Sequence, residues 1–565
     1  MAYAYANQSS IVVPAAHLIE PGNLILTPPP PLPPPLLGYF PVTLTAIPNH
    51  CYRSPLLVPA NPPVIVHRPV VLGRPSLEFL IQMDERRTQS LLQFISSEGL
   101  EPSQEEVVKR KEVINQLKQI VLQWIRKVAW QRRLPKEIIA GTSATILTYG
   151  SYGLGVHGPE SDIDALCLGP YFASLEEDFF VVLRNILHSR PEVSEIHCVK
   201  SAKVPLMRFK FNGISVDFPY VQVQVISVSD NINIFDPFLP GKVEESGWRS
   251  LSGVRANQQI LRLVPNVKNF HSMLRCIKLW AKRRGIYSHL LGFFGGIHLA
   301  ILAAYVCQRH PNASCNSLLT LFFENFSHWP WPRPVILQDQ SINFRRPDDR
   351  ALMPIMMPCS PFEYCNSNIT RSTFRKIKAE FQRGYALTRD IGRLDFEWSC
   401  LFEAFPYGAK YAHFVRILLA APNVDELRDW VGWVKSRFRS LLLKLEIVEG
   451  HCDPNPTEYV DHNITEPNVV FYWGLLTEGS TFLDINSVKE DFMRSVINDV
   501  YGEDRSARCK LELSVIESSQ LPKSMLVESG VKGCKACWRI LDNNQLGTPV
   551  YSQYVPHYFV GYVAS

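Results

Sequence analysis

Residues 149–164 read Tyr149-Gly150-Ser151-Tyr152-Gly153-Leu154-Gly155-Val156-His157-Gly158-Pro159-Glu160-Ser161-Asp162-Ile163-Asp164. Alternate residues of a strand point to one face, so we expect Asp162 and Asp164 to project together. Two neighbouring carboxylates repel each other unless a cation lies between them, and Mg²⁺ prefers carboxylate and phosphate oxygens. The Gly-Ser turn ahead of them offers backbone N–H groups that suit a phosphate. This stretch therefore predicts nucleotidyl transfer at the edge of a sheet.

A hairpin supplies a third carboxylate. The strand-like runs 204–211 and 214–220 are joined by Asn212-Gly213, the strongest short hairpin signal. A two-residue turn places the large apolar side chains on one face and Asp217 on the opposite, polar face. Two metal ions held by three carboxylates would serve both ends of an in-line displacement. The alternative for Asp217 is a cross-strand ion pair with Arg208.

A basic helix offers a second wall for an anionic ligand. Lys278 and Lys282 are four residues apart, on one helix face, where two ammonium groups favour an anionic partner. The alternative is a solvated basic face. Tyr287 could stack on a base or donate a hydrogen bond to a phosphate. Gly295-Gly296 would allow the backbone to approach a ligand closely, or two helices to pack.

Length and composition narrow the class of protein. A chain of 565 residues is too long for one hydrophobic core, so about two to four domains are expected. A net charge of +5 permits a polyanionic partner without requiring one. The 13 cysteines are scattered, which favours reduced intracellular thiols. No secretory signal is seen, and we interpret the most apolar stretch, Leu290 to Cys307, as a buried core helix.

Local patterns divide the chain further. Prolines dominate residues 1–75, where a disordered or polyproline II leader is expected. Ser103 and Glu106 predict a capping box at the start of a helix that ends near Trp130. Helical periodicity is also found at 76–97, 174–190, 257–330 and 372–390. Strand patterns at Tyr411–Ala420, Val469–Trp473 and Cys509–Val515, with one long helix at Asn423–Leu443, predict a small α+β domain.

Several motifs resemble the eukaryotic nuclear poly(A) polymerases, and in particular their plant members. The resemblance runs from about residue 75 to about residue 525. It is carried by the Gly-Ser-Tyr turn, Leu154-Gly155-Val156-His157, Asp162-Ile163-Asp164-Ala165-Leu166, the segment from Ile277 to Ser288, Leu291-Gly292-Phe293-Phe294-Gly295-Gly296, Leu352-Met353-Pro354-Ile355 and Trp398-Ser399-Cys400-Leu401-Phe402-Glu403-Ala404.

This resemblance implies a multidomain α+β fold. It comprises a nucleotidyltransferase palm with a mixed sheet and helices, a helical central domain, and a C-terminal domain like an RNA-recognition motif. The expected segments are a proline-rich leader at 1–75, the palm with its N-terminal helices at 76–250, the central domain at 251–395, the RNA-binding domain at 396–525 and a tail at 526–565.

The resemblance also implies roles for individual residues. Asp162, Asp164 and Asp217 would be catalytic and would hold two ions of Mg²⁺ or Mn²⁺. With ATP as the substrate, the implied nucleotide contacts are Tyr149, Gly150, Ser151, Gly158, Asp162, Ile163, Asp164, Asp217, Lys278, Lys282, Tyr287, Gly296 and Ile297. Among them, Lys282 would reach phosphates, and Gly296-Ile297 would line the base pocket.

The chain departs from the family in several places. Ser252 stands where the family commonly has Asn, which puts base choice or rate in question. The loop around Phe344-Arg345-Arg346-Pro347 is shorter, and the Ser/Thr-rich, Lys/Arg-rich tail of vertebrate members is missing. Cys534 and Cys537 form a single Cys-x-x-Cys pair, which we interpret as two ordinary thiols and not as a zinc site.

We therefore expect template-independent addition of AMP from ATP to RNA 3′ ends, with release of pyrophosphate, in mRNA 3′-end processing. A terminal uridylyltransferase and a catalytically weak RNA-binding scaffold on the same fold are the alternatives. The expected partners are the 3′ end of an mRNA precursor and the cleavage and polyadenylation factors. We expect a monomer without membrane association. Family analogy places the protein in the nucleus, with a cytoplasmic pool as the alternative because no strong basic import cluster is seen.

Overall fold

The computed structural model describes most of the chain from residue 76 onward. The described residues are 76–200, 202, 204–337, 348, 351–360, 362–365, 368–393, 395–476, 485–497, 504–523 and 525. The predicted leader, the loop at 344–347 and the Cys534/Cys537 pair lie outside them. All described residues belong to the unit Gly73–Ser565.

Three helices precede the first sheet. They are α1 (Leu77–Ser97), α2 (Gln104–Gln131) and α3 (Lys136–Gly141). The predicted capping box begins α2: Ser103 Oγ accepts from the Glu106 N–H at 3.2 Å, and the Glu106 carboxylate accepts from the Ser103 N–H at 2.8 Å. The apolar face of α2, including Trp124, is buried in the same cluster as the strands that follow.

A five-stranded mixed sheet follows, and we call it and the helices packed on it the palm. Its elements are β1 (Thr145–Tyr149), α4 (Gly150–Gly153), β2 (Ile163–Pro170), a π-helix (Leu175–Leu183) continued by α5 (Arg184–His188), β3 (Val193–Val199), β4 (Leu206–Phe211) and β5 (Ile214–Val223). The strand order is β1-β2-β5-β4-β3, and only the β2–β5 pair is parallel. The stretch with two aspartates and the hairpin therefore contribute neighbouring strands.

The hairpin has the predicted register. Asn212 and Gly213, with φ of 49° and 78°, form the turn between β4 and β5, and positive φ at both positions is typical of a two-residue hairpin turn. The apolar pairs across it are Phe211–Ile214, Phe209–Val216 and Met207–Phe218. On the opposite face, Arg208 pairs with Asp217.

A helical bundle follows the palm. Its helices are α6 (Glu245–Leu263), α7 (Val267–Arg283), α8 (Gly296–Arg309), α9 (Cys315–Ser327) and α10 (Arg371–Thr388), with 3₁₀ turns at Pro240–Lys242 and His289–Leu291. Helix α10 confirms the helix predicted at 372–390. The apolar stretch that contains α8 lies in the core, as predicted.

Within the described residues, no helix combines the length with the apolarity needed to cross a membrane.

The boundary predicted at 250/251 falls inside α6. The first half of this helix, with Leu251 and Val254, packs on the palm sheet. Ile260, near its end, joins the core of the helical bundle. One continuous helix thus belongs to both cores. The division of the chain into the predicted domains otherwise stays a prediction.

A four-stranded antiparallel sheet is the last part of the described chain. The elements are α11 (Trp398–Leu401), α12 (Tyr407–Lys410), β6 (His413–Ala420), α13 (Val424–Lys435), α14 (Phe438–Glu449), β7 (Cys452–Asp453), β8 (Asn468–Leu475), α15 (Ile485–Val496), β9 (Lys510–Glu517) and a 3₁₀ turn at Ser518–Gln520. The strand order is β7-β8-β6-β9. The predicted α+β character of this region is confirmed.

The single helix predicted at Asn423–Leu443 is wrong. The chain forms α13 and α14, which are separated at Ser436 and Arg437. The Arg437 N–H donates to the Val434 carbonyl, three residues back, at 2.9 Å. The Arg437 guanidinium lies 3.3 Å from the centre of the Trp433 ring. This tight turn redirects the chain, although the apolar periodicity continues through it.

Candidate active site

Strand pairing brings the three predicted carboxylates together. Asp164 is on β2 and Asp217 is on β5, and the parallel register places these two residues side by side. Asp162 lies just before β2, two residues from Asp164, and alternation puts it on the same side. The acids therefore meet at one end of the β2–β5 pair.

The environment of Asp162 and Asp164 disfavours their charged form. Burial, followed by the charges of Asp217 and Asp162, raises the pKa of Asp164 to about 7. Burial and the charge of Asp217 also raise the pKa of Asp162. One pKa unit is about 1.4 kcal/mol between the two protonation states. A cation between these carboxylates would stabilise their charged form.

One cation already contacts the acids. Arg208 Nε donates to Asp217 Oδ1 at 2.7 Å, and Arg208 Nη2 donates to Oδ2 at 2.9 Å. The ion pair that was the alternative for Asp217 is therefore present. Among the described residues, no three His, Cys, Asp or Glu side chains converge as a metal-ligand group. Carboxylates are the donors that hard divalent cations prefer, so these acids fit such an ion if Asp217 exchanges Arg208 for it.

Gly150 allows the Gly-Ser turn to lie against Asp164. Its φ is +61°, in the left-handed region, and a Cβ on it would come within 1.9 Å of Asp164 Oδ2. Asn257 of α6 donates from Nδ2 to the Gly150 carbonyl at 2.8 Å and fixes the turn. Asn257 was not among the residues predicted from the sequence. The sequence does indicate it, because Asn257 is a polar residue at a helix position that faces the core, between the buried Val254 and Ile260.

The loop that leads to Asp162 is also tied down. The Gly158 N–H donates to Ser161 Oγ at 2.9 Å. Arg110, which is on α2 and 3% exposed, donates from Nη2 to the Pro159 carbonyl at 2.7 Å. Burial lowers the pKa of Arg110, while nearby acids that include Asp162 oppose this effect. Arg110 is a second positioning residue that the sequence analysis missed, although it interrupts the apolar face of α2.

Helix α7 brings the predicted basic side chains towards these acids. Burial, followed by the charge of Lys282, lowers the pKa of Lys278 to about 8, against a smaller raising effect of Asp164. Lys282 Nζ lies 5.7 Å from the centre of the Tyr287 ring. Burial and the charge of Asp164 raise the pKa of Tyr287. The α7 side and the palm side are therefore close enough for their charges to interact.

A cavity of about 700 Å³ separates the two sides. This volume is within the ordinary range for small-molecule sites. Most of the predicted nucleotide contacts line it: Tyr149, Gly150, Ser151, Gly158, Asp162, Asp164, Lys278, Lys282, Tyr287, Gly296 and Ile297. Ile163 instead packs in the palm core, and Asp217 is held by Arg208 beside the lining residues. Leu100, Asn257, Arg275 and Met357 line the cavity and were not predicted.

Ser252, Gly295 and Gly296 make contacts within the protein itself. The Ser252 hydroxyl donates to the Arg249 carbonyl at 2.6 Å, so it is used within its own helix. Gly295 is the N-cap of α8. A Cβ on Gly296 would lie 3.3 Å from the Tyr287 hydroxyl oxygen. The absent side chain of Gly296 thus leaves room for the Tyr287 hydroxyl, and the close approach to a ligand predicted for Gly295-Gly296 stays a prediction.

Both faces of the C-terminal sheet are packed over its central strands, β6 and β8. One face packs on helices and joins the main core, through Val415, Ile417, Leu419, Phe471 and Trp473. The other face is buried in a second cluster, which contains Phe414, Leu418, Val470 and Tyr472 with Phe405, Tyr407, Leu521 and Met525. A sheet that stacks bases on aromatic side chains needs an exposed face. In this sheet β6 and β8 are covered on both sides, whereas the edge strand β9 is partly exposed.

Two family descriptions match the chain in series. "Poly(A) polymerase nucleotidyltransferase domain" matches residues 76–264, and "Poly(A) polymerase central domain" matches residues 269–404. The border between the two matches lies between α6 and α7.

Curated relatives extend the similarity beyond these two regions. Nuclear poly(A) polymerase 3 of Arabidopsis thaliana is 54% identical over 486 residues, which are 85% of this chain and 94% of that protein. Nuclear poly(A) polymerase 1 of the same plant is 39% identical over 76% of this chain and 62% of its own length. The poly(A) polymerase of Dictyostelium discoideum is 37% identical over 67% of this chain and 48% of its own.

One solved structure, of a cytoplasmic RNA terminal U-transferase, aligns with 57% of this chain and 99% of its own at 16% identity. Its TM-score of 0.40 carries no argument about which base is transferred.

Proposed function

This chain belongs to the poly(A) polymerase family, and we propose that it adds AMP from ATP to RNA 3′ ends without a template. The observation that carries the proposal is the cavity in which Asp162 and Asp164 lie with Lys278 and Tyr287. Two acids whose charged form is disfavoured on one side, and the partly buried Lys278 ammonium with the exposed Lys282 on the other, suit a divalent metal and a triphosphate.

Asp162, Asp164 and Asp217 would hold the divalent ions, Mg²⁺ or Mn²⁺, that this reaction needs. When bound, such ions make a 3′-hydroxyl easier to deprotonate and neutralise charge on the phosphates. In the transfer, the 3′-hydroxyl gives its proton to solvent, its oxygen bonds to the α-phosphorus of ATP, and the bond from that phosphorus to the pyrophosphate oxygen breaks, so that pyrophosphate leaves.

The chain's own residues bind and orient the substrates. The turn at Gly150 and Ser151 presents backbone N–H groups to the triphosphate. Lys278 and Lys282 neutralise its phosphates, and an anion there would raise the pKa of Lys278 towards its usual range. Tyr287 and the Gly296-Ile297 pair form the wall against which the base lies.

The C-terminal sheet would belong to the RNA-recognition-motif type. Its strands follow one another in the chain as β6, β7, β8 and β9. In the sheet, β9 lies beside β6, β6 beside β8, and β8 beside β7. This order supports the assignment. Because both faces of β6 and β8 are covered, the domain would bind RNA through its strand edges and loops, by contacts to the RNA backbone.

The names of the relatives indicate the cellular compartment. Four of them, 38–54% identical, are named nuclear poly(A) polymerases, and we place this protein in the nucleus, in mRNA 3′-end processing. Its partners would be the 3′ end of an mRNA precursor and the cleavage and polyadenylation factors. The enzyme would act as a monomer.

Primer extension with each of the four NTPs tests the function. Purified protein is mixed with an oligo(A) primer and Mg²⁺ or Mn²⁺, and we expect extension with ATP above the other three. Asp164→Ala should abolish extension, whereas Asp425→Ala, at an exposed position on α13, should not change it. Failure of the wild type to extend with ATP would contradict the proposal. Preference for UTP would indicate a uridylyltransferase, and RNA binding without turnover would indicate a scaffold.

A further inference from the structure

One buried histidine connects two walls of the cavity. His298 is 2% exposed and lies in the first turn of α8, directly after Gly296 and Ile297. Its Nδ1 accepts a hydrogen bond from the Gly295 N–H at 2.7 Å, and its Nε2 lies 2.7 Å from the Cys365 carbonyl oxygen. A carbonyl only accepts, so Nε2 carries the proton and Nδ1 does not. Both contacts require this one neutral tautomer.

The bond to Gly295 fixes the first wall. Gly295 is the N-cap of α8, and a Cβ there would lie 3.3 Å from His298 Nδ1, so the absent side chain lets the ring close on the cap. The direction of the first turn of α8 sets where Gly296 and Ile297 stand in the cavity. Gly296 in turn lies against the Tyr287 hydroxyl.

The contact with Cys365 leads to the second wall. The Cys365 N–H donates to the Ile355 carbonyl at 3.0 Å, and the Met357 N–H donates to the Glu363 carbonyl at 2.9 Å. These bonds tie the segment with Cys365 to the segment with Met357. Met357 lines the cavity together with Ile297. The His298 ring therefore joins the α8 wall to the Met357 wall through backbone hydrogen bonds.

The surroundings keep the His298 ring neutral and in place. The His289 ring stacks on it, with ring centres 5.2 Å apart and planes inclined by 25°. Asn368 Nδ2 lies 3.1 Å from His289 Nε2, which holds the stacked ring. Burial lowers the pKa of His298 to about 4. Protonation would place a second N–H against the Gly295 N–H and break that bond.

We propose that His298 is a positioning residue for the nucleotide base, because it sets the spacing between the Gly296–Ile297 wall and Met357. The inference rests on the proposed function, which places the base against this part of the cavity. It assigns His298 control over ATP affinity and over the preference for one base. It assigns no contact between His298 and the substrate.

Three variants test the proposal. His298→Ala removes both contacts. His298→Asn keeps an acceptor near the position of Nδ1 and loses the reach to Cys365. His310→Asn is the matched control, since it changes a histidine at the far end of the same helix. For each protein we would measure KM and kcat for ATP and for GTP in primer extension, ATP binding by isothermal titration calorimetry, and the thermal midpoint.

We expect His298→Ala to raise KM for ATP by about 5- to 30-fold, the effect of one to two lost hydrogen bonds. The kcat should change less than KM, and the selectivity for ATP over GTP should fall. His298→Asn should lie between His298→Ala and the wild type, and His310→Asn should match the wild type. A structural role alone would lower the thermal midpoint without changing the ratio of ATP to GTP.

The proposal is overturned if folded His298→Ala has the KM and selectivity of the wild type. It is also overturned if kcat falls while KM stays constant. If His298→Ala does not fold, wild-type values for His298→Asn decide against it. Failure of the proposed function would instead appear as an inactive wild type. In that case the calorimetric comparison of ATP binding still decides whether His298 positions the nucleotide.

Discussion

Two charged groups that line the cavity lack hydrogen-bond partners in the described part of the chain, whereas four buried charged residues outside it form two ion pairs. We call Asp162, Asp164 and Lys278 the cavity cluster, and we call the pairs Arg284–Glu380 and Lys376–Asp453 the junction cluster. In the junction cluster, Arg284 donates to Glu380 at 2.8 and 2.9 Å, and Lys376 donates to Asp453 at 2.8 Å. Among the described residues, neither the Asp164 carboxylate nor the Lys278 ammonium has a hydrogen-bond partner.

This difference in pairing reverses the sign of the pKa shift at two buried acids. Burial tends to raise the pKa of Glu380, but the charge of Arg284 and its hydrogen bonds outweigh burial, so the pKa is lowered. At Asp164, burial and like charges act together, and the pKa is raised to about 7. A buried charge without a partner costs folding free energy. Paired charges hold the protein together, and unpaired ones mark the place of a ligand.

The largest effect is expected at the junction cluster. Lys376→Met leaves Asp453, which is 1% exposed, without its cationic partner. Because a buried charge loses its counter-ion, the free energy of unfolding should fall by about 3–5 kcal/mol. Urea denaturation at pH 7 measures it. Lys278→Met is the matched control, and its free energy of unfolding should not fall, because the substitution removes a partly buried charge that has no partner among the described residues. Equal stability of the two variants would remove the distinction between the clusters.

For ATP binding, the order of the two effects should be reversed, so that Lys278→Met has the larger effect and Lys376→Met the smaller. Lys278→Met removes a charge-assisted contact to the triphosphate and should raise KM for ATP about 10- to 100-fold. Lys376→Met, assayed well below its unfolding transition, should keep the wild-type KM. Steady-state primer extension gives both values. If Lys278→Met binds ATP as the wild type does, the cavity cluster has no role in holding phosphates.

A smaller effect is expected from pH. Asp164 must lose its proton before it binds a metal ion, and its pKa is raised to about 7, so metal affinity should increase as pH rises through 7. Mn²⁺ binding without nucleotide should be about tenfold tighter at pH 8 than at pH 6. Titration calorimetry measures it, and Asp164→Asn should lose this pH dependence. Above about 8, Lys278 becomes neutral, so ATP affinity should then decline.

Parts of this arrangement could be read from the sequence because local rules fix them. The Asn212-Gly213 turn determines the hairpin register and thereby the side of the sheet on which Asp217 stands. The capping box at Ser103 and Glu106 determines the start of α2. In both cases the interacting residues are close in sequence, and the turn or cap has few geometries.

Other parts depend on contacts between distant residues. Asn257 reaches Gly150 across 107 residues, and His298 reaches Cys365 across 67. These partners cannot be predicted from the neighbouring residues in the sequence, because only the tertiary fold brings them together. The ion pair between Arg208 and Asp217 was foreseen as an alternative, but only the observed geometry shows that it occupies both carboxylate oxygens. The break between α13 and α14 was hidden because the apolar period continues through it.

In this mechanism, the cavity keeps charges that destabilise the fold because the reaction needs them. Thermal unfolding and AMP incorporation, measured on one preparation of Asp164→Asn at pH 8, test it most directly. A raised pKa means that Asp164 stabilises the fold at low pH and that this contribution is lost as pH rises through 7. Asp164→Asn should therefore be more stable than the wild type at pH 8, by about 1–3 kcal/mol. It should also lose AMP incorporation by about a thousandfold or more. A variant that is less stable than the wild type and still adds AMP would contradict the account.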